Sequence, residues 1–253
     1  MSGDRIDAYF VCAGKYHDMD FARLEILKLL ADDDRIRTRV ADSYADTAAI
    51  AASDFLITYT CDLLPSQAEQ QALKAFLEAG GRWFALHGTN SIIRFLDNGL
   101  VGAPREAPLL MDMLGSQFIA HPPIGDFDVK VTDPGHALVA DIEPFTTNDE
   151  LYLSEFHGAC HTLLHTEWNG EATGFAEADW HADDPVRPVM YLHGYGAGEV
   201  LYLTLGHCRG RYDMQPLMET YPEIERCSWQ SPVFYDLLKR GIGWAHGRGP
   251  KTQ

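Results

Sequence analysis

The segment Arg82-Trp83-Phe84-Ala85-Leu86 is a short, almost wholly apolar run that starts after a glycine pair and stops at a polar turn, His87-Gly88-Thr89-Asn90. A short run that is apolar at alternating positions on both faces fits a fully buried strand, and such strands belong to parallel sheets covered by helices. The turn then puts His87 at the carboxyl edge of the sheet, where open α/β folds bind their ligands. Thr89 to Leu96 is expected to continue as a helix.

The preceding residues repeat the same alternation. Ile6 to Cys12 reads as a first strand and Met19 to Leu30 as a helix, with Arg35 to Val40 and Asp54 to Tyr59 as further strands. Pro65 opens a helix to Ala79, and Gly80 lies just past its end, as helix geometry favours. Strands alternating with helices predict a doubly wound, mainly parallel α/β sheet. Further on, Asn98 to Ala107 reads as an ordered loop, and Phe127 to Thr132, Glu150 to Ser154 and Thr162 to Thr166 as strands. Arg187 to His193 and Glu199 to Leu205 read as a β-hairpin joined by Gly194 to Gly198, and Pro232 to His246 as a closing helix. With no repeat and no linker, all 253 residues are expected to form one domain.

Charge narrows the partners. The chain carries 37 Asp and Glu against 20 Lys and Arg, a formal net charge of −17. That field repels phosphates, so neither nucleic acid nor an anionic membrane is an expected partner, and a small neutral or weakly charged ligand is. Five cysteines without a close pair fit a reduced, cytoplasmic setting rather than a disulfide framework. The short apolar run near the start, flanked by Asp4 and Asp7, does not read as a signal peptide, and no stretch is long enough to span a bilayer.

Three histidines follow predicted strands: His17 after the first, His87 after the fourth, and His207 after the strand ending at Leu205. All three are expected at one sheet edge. Neutral imidazoles from separate strand ends, joined by a carboxylate such as Glu150, suit Zn²⁺ or another divalent transition ion with a position open to substrate. His121 and Asp149 come next in rank. The alternative for each histidine is structural: His17 capping the next helix with Asp18, His87 holding a strained turn, His207 satisfied by backbone. His157, His161 and His165 have helical ligand spacing but fall in a strand-like stretch, where residues four apart lie about 13 Å from one another. Gly194 to Gly198 reads as a hairpin turn rather than a phosphate loop, and Cys61 as a structural thiol. Trp83, Trp168, Trp180, Trp229 and Tyr191 read by default as core or rim residues, and one or two of Trp180, Tyr152 and Trp229 could stack on a sugar face.

In order and spacing, His17, Gly80-Gly81 through Leu86-His87, His121-Pro122, Asp133 to His136, Asn148-Asp149-Glu150-Leu151-Tyr152, Gly196 through Leu205-Gly206-His207, and Trp244-Ala245-His246-Gly247 resemble the trehalose-utilisation (ThuA-like) family. The resemblance implies a flavodoxin-like, class I glutamine-amidotransferase-like fold, with a β-hairpin insertion and a loop lid. Amidotransferases carry a nucleophilic cysteine at the strand-to-helix elbow. This chain has His87 there, as ThuA-like proteins usually do, so glutamine hydrolysis through a thioester is not expected. The family's association with oxidised disaccharides points to carbohydrate chemistry. The leading expectation is metal-dependent enolisation of a keto-sugar or oxidised glycoside, ending in elimination or isomerisation. His17, His87 and His207 would hold the metal; Glu150, Asp149 and His87 would be catalytic; His121, Tyr152 and Trp180 would bind substrate. The alternatives are a non-catalytic sugar-binding or regulatory module and a metal-dependent hydrolase using a metal-bound water. A homo-oligomer is a further expectation, with Arg209 to Trp229 as lid or subunit contact, and Gly247 to Gln253 as a frayed end.

Overall fold

In the computed structural model, which describes residues 5–177 and 184–247, the first part of the chain alternates as expected. It runs β1 (Ile6–Gly14), α1 (Met19–Leu30), β2 (Ile36–Ala41), α2 (Thr47–Ala52), β3 (Phe55–Cys61), α3 (Gln67–Glu78) and β4 (Arg82–Leu86). A 3-10 turn, His87–Asn90, leads to β5 (Arg94–Phe95), β6 (Val101–Gly102), α4 (Pro108–Leu114), β7 (Ser116–Ala120), β8 (Gly125–Val131) and β9 (Phe145–Asp149). The chain closes with β10 (Leu153–Phe156), β11 (His161–Glu167), β12 (Val186–Tyr195), β13 (Gly198–Leu203) and α5 (Pro232–Ala245).

Nine strands form one sheet in the order β2-β1-β3-β4-β13-β12-β11-β8-β9. The first five are parallel, and from β12 onward neighbours run antiparallel. The hairpin of β12 and β13 is therefore built into the main sheet, with β13 beside β4. The path reverses direction between β1 and β3, and in a doubly wound sheet the ligand crevice opens at that switch point.

Two-residue periodicity divides each central strand between two cores. Ala8, Phe10 and Cys12 of β1 face Ile26 and Leu30 of α1 and Phe234 and Leu237 of α5. Tyr9 and Val11 face Leu73 and Leu77 of α3 and Leu110 and Met111 of α4. A smaller cluster of Phe118, Leu151, Tyr152 and Phe175 lies beside the sheet edge. Helix α3 starts with a capping box, in which Ser66 Oγ accepts from the Glu69 N–H and the Glu69 carboxylate accepts from the Ser66 N–H.

Several expected elements differ. Thr89 to Leu96 is not a helix, because its polar side chains bond across the fold instead of supporting a helix. Thr89 Oγ1 donates to Leu86 O and Asn90 Nδ2 to Ser116 Oγ, while the Ile93 N–H donates to the Asp62 carboxylate. The loop from Asn98 to Ala107 contains the short strand β6. The strand expected over Glu150 to Ser154 starts only at Leu153, and Glu150 instead follows the end of β9. Helices α2 and α4 and strands β7 and β9 complete the architecture. Among the described residues, no helix is long and apolar enough to cross a membrane.

Candidate metal centre

The elbow after β4 is held in an uncommon backbone conformation. His87 has φ of +43°, a left-handed value that costs a non-glycine residue on the order of 1–2 kcal/mol. Tyr202 on β13 stabilises the turn by donating its hydroxyl to the His87 carbonyl while accepting from the Asn90 N–H. Gly88 must be glycine: a Cβ there would sit 2.5 Å from Thr60 O and 2.8 Å from Cys61 Cβ at the end of β3.

His207 reaches the same edge by a different device. After β13 the chain runs extended, and the carboxylate of Asp149, at the end of β9, accepts the Gly206 N–H at 2.9 Å and the His207 N–H at 3.0 Å. The same carboxylate accepts the Glu150 N–H at 2.8 Å and the Ser228 hydroxyl. Asp149 is buried and lines no part of the cavity described below. Its geometry is that of an anchor for the His207 segment, not of a base facing a ligand.

His17, His87, Glu150 and His207 are all buried, and one ligand atom from each lies within 4.8 Å of the others, so that the four could hold a metal ion. The hydrogen bonds on the far side of each ring fix which nitrogen faces inward. His17 Nδ1 is 3.2 Å from Lys15 O and His87 Nδ1 is 2.8 Å from Thr204 O. A carbonyl only accepts, so both Nδ1 atoms carry hydrogen, and both Nε2 atoms present lone pairs. Those two Nε2 atoms are 2.8 Å apart. His207 is turned the other way, with Nε2–H donating to Glu225 Oε2 at 2.7 Å. Its Nδ1, 3.1 Å from Glu150 Oε1 but off a hydrogen-bonding direction, has no partner.

Two facing lone pairs, a third nitrogen without a hydrogen-bond partner and a carboxylate repel one another unless a positive charge, a proton or a metal ion, lies among them. The spacing fits one. Glu150 Oε2 is 3.5 Å from His87 Nε2 and 3.8 Å from His17 Nε2. A tetrahedral zinc site with bonds of about 2.0–2.1 Å has ligand-to-ligand edges of about 3.4 Å, close to these two distances and above the 2.8 Å that separates the two Nε2 atoms. Imidazoles whose outer N–H is held by a carbonyl or carboxylate are the usual form of metal-binding histidines.

Charge in the cluster follows the same logic. Burial, reinforced by the neighbouring His87 and His207 rings and only partly offset by Glu150, pulls His17 down to about 3, so it stays neutral. Burial opposes ionisation of Glu150, but His207 and His121 outweigh it and hold the carboxyl well below its usual range. Burial likewise opposes charge on His207, yet Glu150 and Glu225 bring it up to about 9. The two carboxylates thus draw one proton onto this ring, and a metal ion would take that proton's place.

A cavity of about 280 Å³ opens over His17 and Glu150. Tyr16, Phe95, Phe118, Phe175 and Met214 supply apolar walls, and Ser91, His121, Tyr152 and Arg209 supply polar groups. His121 Nδ1–H donates to Pro122 O at 2.7 Å, and Nε2 faces Glu150 Oε1 at 3.6 Å. Tyr152 Oη lies 3.3 Å from His87 Nε2. Cys61 also borders the cavity, but burial pushes its thiol well above the usual value, with Glu150 and Asp62 adding to the effect.

The structure therefore brings together His17, His87, His207, Glu150, His121 and Tyr152. Trp180 lies outside the described residues. Trp229, expected as a stacking ring, is a core residue instead, packed on Phe21 and Phe234 with Nε1–H donating to Gly206 O. His157, His161 and His165 point to separate partners, Asp112, Asp133 and Thr132. Glu225 and Arg209 escaped the sequence reading, although both lie in the segment singled out as a lid or contact.

A family profile described as trehalose utilisation matches residues 10–221. No curated protein matches the chain at a significant level. Among solved structures, a ThuA-like protein from Parabacteroides merdae has a TM-score of 0.69 at 13% identity, covering 98% of this chain and 92% of that one. A ThuA-like protein from Bacteroides uniformis has a TM-score of 0.64 at 15% identity, covering 97% and 93%. A cytoplasmic protein of Salmonella typhimurium has a TM-score of 0.53 at 12% identity, covering 95% and 97%. At such identities these likenesses speak to the fold alone. The profile match encompasses His17, His87, His121, Glu150 and His207, and by it the chain belongs to the ThuA (trehalose utilisation) family.

Proposed function

We propose that this protein is a metal-dependent enzyme that enolises a keto-sugar or oxidised glycoside, with Zn²⁺ or another divalent transition ion as cofactor. The observation that carries the reading is the convergence of three imidazoles and the Glu150 carboxylate, with His17 and Glu150 of that cluster lining one cavity. The family's link to trehalose utilisation supports a carbohydrate substrate. His17, His87 and His207 would hold the ion with Glu150 beside them, and the ion would supply polarisation of a carbonyl oxygen at the position left open.

The residues around it divide the remaining work. The aromatic walls suit the C–H face of a sugar ring, and Ser91, Tyr152 and His121 suit its hydroxyls. Of the two carboxylates expected to take a proton, Glu150 faces the cavity and Asp149 anchors backbone. The proton α to the carbonyl therefore passes to the pair formed by Glu150 and His121 Nε2, 3.6 Å apart. With a ketone at C3, the C2–H bond breaks, its electrons form the C2–C3 double bond, and the former carbonyl oxygen takes the negative charge. Return of those electrons either expels the glycosidic oxygen from C1 or takes a proton back at carbon. The first course is elimination and the second isomerisation.

The test uses protein purified without an affinity tag, loaded with Zn²⁺, Mn²⁺ or Ni²⁺, and incubated in D₂O with the 3-keto derivative of trehalose. Deuterium should appear at C2 before the substrate is consumed, and the His87→Ala, His207→Ala double variant should abolish exchange. A preparation that consumes the substrate without C2 exchange overturns enolisation. Saturable binding without exchange or turnover, indifferent to chelators, makes the protein a sugar-binding module.

A further inference from the structure

Glu225 is not among the four clustered ligands, yet its carboxylate has three donors on it. His207 Nε2–H reaches Oε2 at 2.7 Å, Arg209 Nη1 reaches the same oxygen at 2.9 Å, and the Tyr221 hydroxyl reaches Oε1 at 2.9 Å. One donor is a metal-facing ring, and the other two belong to the loop that Glu225 itself closes. The Arg209 N–H donates to Glu225 O at 3.0 Å and the Glu225 N–H to Arg209 O at 2.9 Å, which pinches the chain into a loop between them. That loop contains no helix or strand, and it sends Arg209 and Met214 into the cavity wall. The Arg209 guanidinium lies 4.9 Å over the Tyr221 ring and donates from Nε to Tyr16 O.

We infer that Glu225 couples metal loading to the ordering of the Arg209–Glu225 loop over the cavity, by holding His207 with one hydrogen bond and the loop with the others. The inference rests on the metal-dependent reading above. The coupling arises because one carboxylate cannot satisfy both sets of donors unless both are in place. An ion that fixes the His207 ring fixes the direction of its Nε2–H, and so the position of Glu225, and so Tyr221 and Arg209. By linkage, an ordered loop must strengthen metal binding by the same factor. A loop built of turns with few internal hydrogen bonds is the kind of segment such a modest coupling can order. Glu225 is thus a positioning residue: it makes no contact with the ion, and it keeps His207 Nδ1 turned inward.

The test compares the wild type, Glu225→Ala and Glu225→Gln, with Zn²⁺ as the probe. Affinity is measured by competition with a chromophoric chelator, and hydrogen exchange of the amides of residues 210–224 is followed without and with saturating Zn²⁺. Loss of an outer partner of a ligating histidine costs about 10- to 100-fold in metal affinity, and that loss is expected for Glu225→Ala. Glutamine can still accept from His207 and Arg209 through its carbonyl, so Glu225→Gln should restore most of the affinity. In the wild type Zn²⁺ should slow exchange across the loop, and in Glu225→Ala saturating Zn²⁺ should leave loop exchange unchanged. Unaltered exchange in β1, β3 and β4 verifies that each variant is folded. A Glu225→Ala protein that binds Zn²⁺ as tightly as the wild type, or a wild-type loop blind to Zn²⁺, overturns the coupling and leaves the metal centre standing. A wild type that binds no divalent ion overturns the metal centre and the coupling with it.

Discussion

Asp149 separates a structural role from a chemical one in a way that stability can measure. Replacing it with alanine removes the acceptor for the Gly206, His207 and Glu150 N–H groups, all buried at distances of 2.9, 3.0 and 2.8 Å from its oxygens, and for the more distant Ser228 N–H. The Ser228 hydroxyl has a second partner in Thr147 Oγ1 at 2.9 Å, so it is not orphaned. Three buried backbone donors left unpaired cost about 1–3 kcal/mol each, or about 3–9 kcal/mol together. That is a large share of the roughly 5–15 kcal/mol that holds a domain folded. Asp149→Asn keeps the shape and one acceptor but turns an NH₂ toward a backbone donor, so a loss of about 1–3 kcal/mol is expected. Urea denaturation of metal-free protein, read by tryptophan fluorescence, should show the midpoint falling with the slope unchanged. Trp229 is a local reporter, since its Nε1–H is bonded to Gly206 O. If Asp149→Asn stays within about 0.5 kcal/mol of the wild type, the range of an inert surface change, while losing C2 proton exchange, then Asp149 is a base and the anchoring argument is wrong.

The remaining expectations concern the centre and its surroundings. Chelation should lower the thermal midpoint of metal-loaded protein, because an ion present at a hundred times its Kd contributes about 2.7 kcal/mol; a midpoint that ignores chelator removes the centre from the stability of the fold. Gly88→Ala should destabilise by about 1–3 kcal/mol, as overpacking does, because Thr60 O and Cys61 stand where the methyl would go. An unchanged urea midpoint would mean that the elbow relaxes freely. Alanine at His157, His161 and His165 together should leave metal stoichiometry, measured by mass spectrometry, unchanged, since the three rings pair with Asp112, Asp133 and Thr132 and not with one another.

What could be read from the sequence depended on where the physics is local. His17, His87 and His207 each follow a strand in the parallel half, so their meeting followed from sheet topology alone. Their inward nitrogens could not be read, because the carbonyls of Lys15 and Thr204 and the carboxylate of Glu225 that set them are tertiary partners. Strand β9 was missed because Phe145-Thr146-Thr147-Asn148-Asp149 is polar and edges the sheet, where one ladder of hydrogen bonds suffices. Strand β7 was missed because its Ser116 and Gln117 are buried against sequence expectation, bonded to the Tyr191 hydroxyl and the Ala103 carbonyl. Helix α4 had a readable signal, Pro108 at its first turn ahead of Leu109-Leu110-Met111. The helix expected after His87 failed for the opposite reason: its polar residues had better partners across the sheet than along the chain.

The elbow itself shows how one fold can host different chemistry without a change of backbone. A nucleophile there needs a neighbouring positive charge or base to generate its anion. Here two carboxylates frame the elbow, Glu150 beside the imidazoles and Glu225 behind His207, and the Nε2 atoms of His17 and His87 face each other. Burial, with Glu150 and Asp62, holds the Cys61 thiol in its neutral form, while His207 and His121 keep Glu150 ionised. The field of the carboxylates attracts a cation for the same reason that it repels a thiolate. His87 fits this field because the Thr204 carbonyl takes its Nδ1–H and aims Nε2 at His17 and Glu150, which a cysteine at that position, with its shorter side chain, would not do.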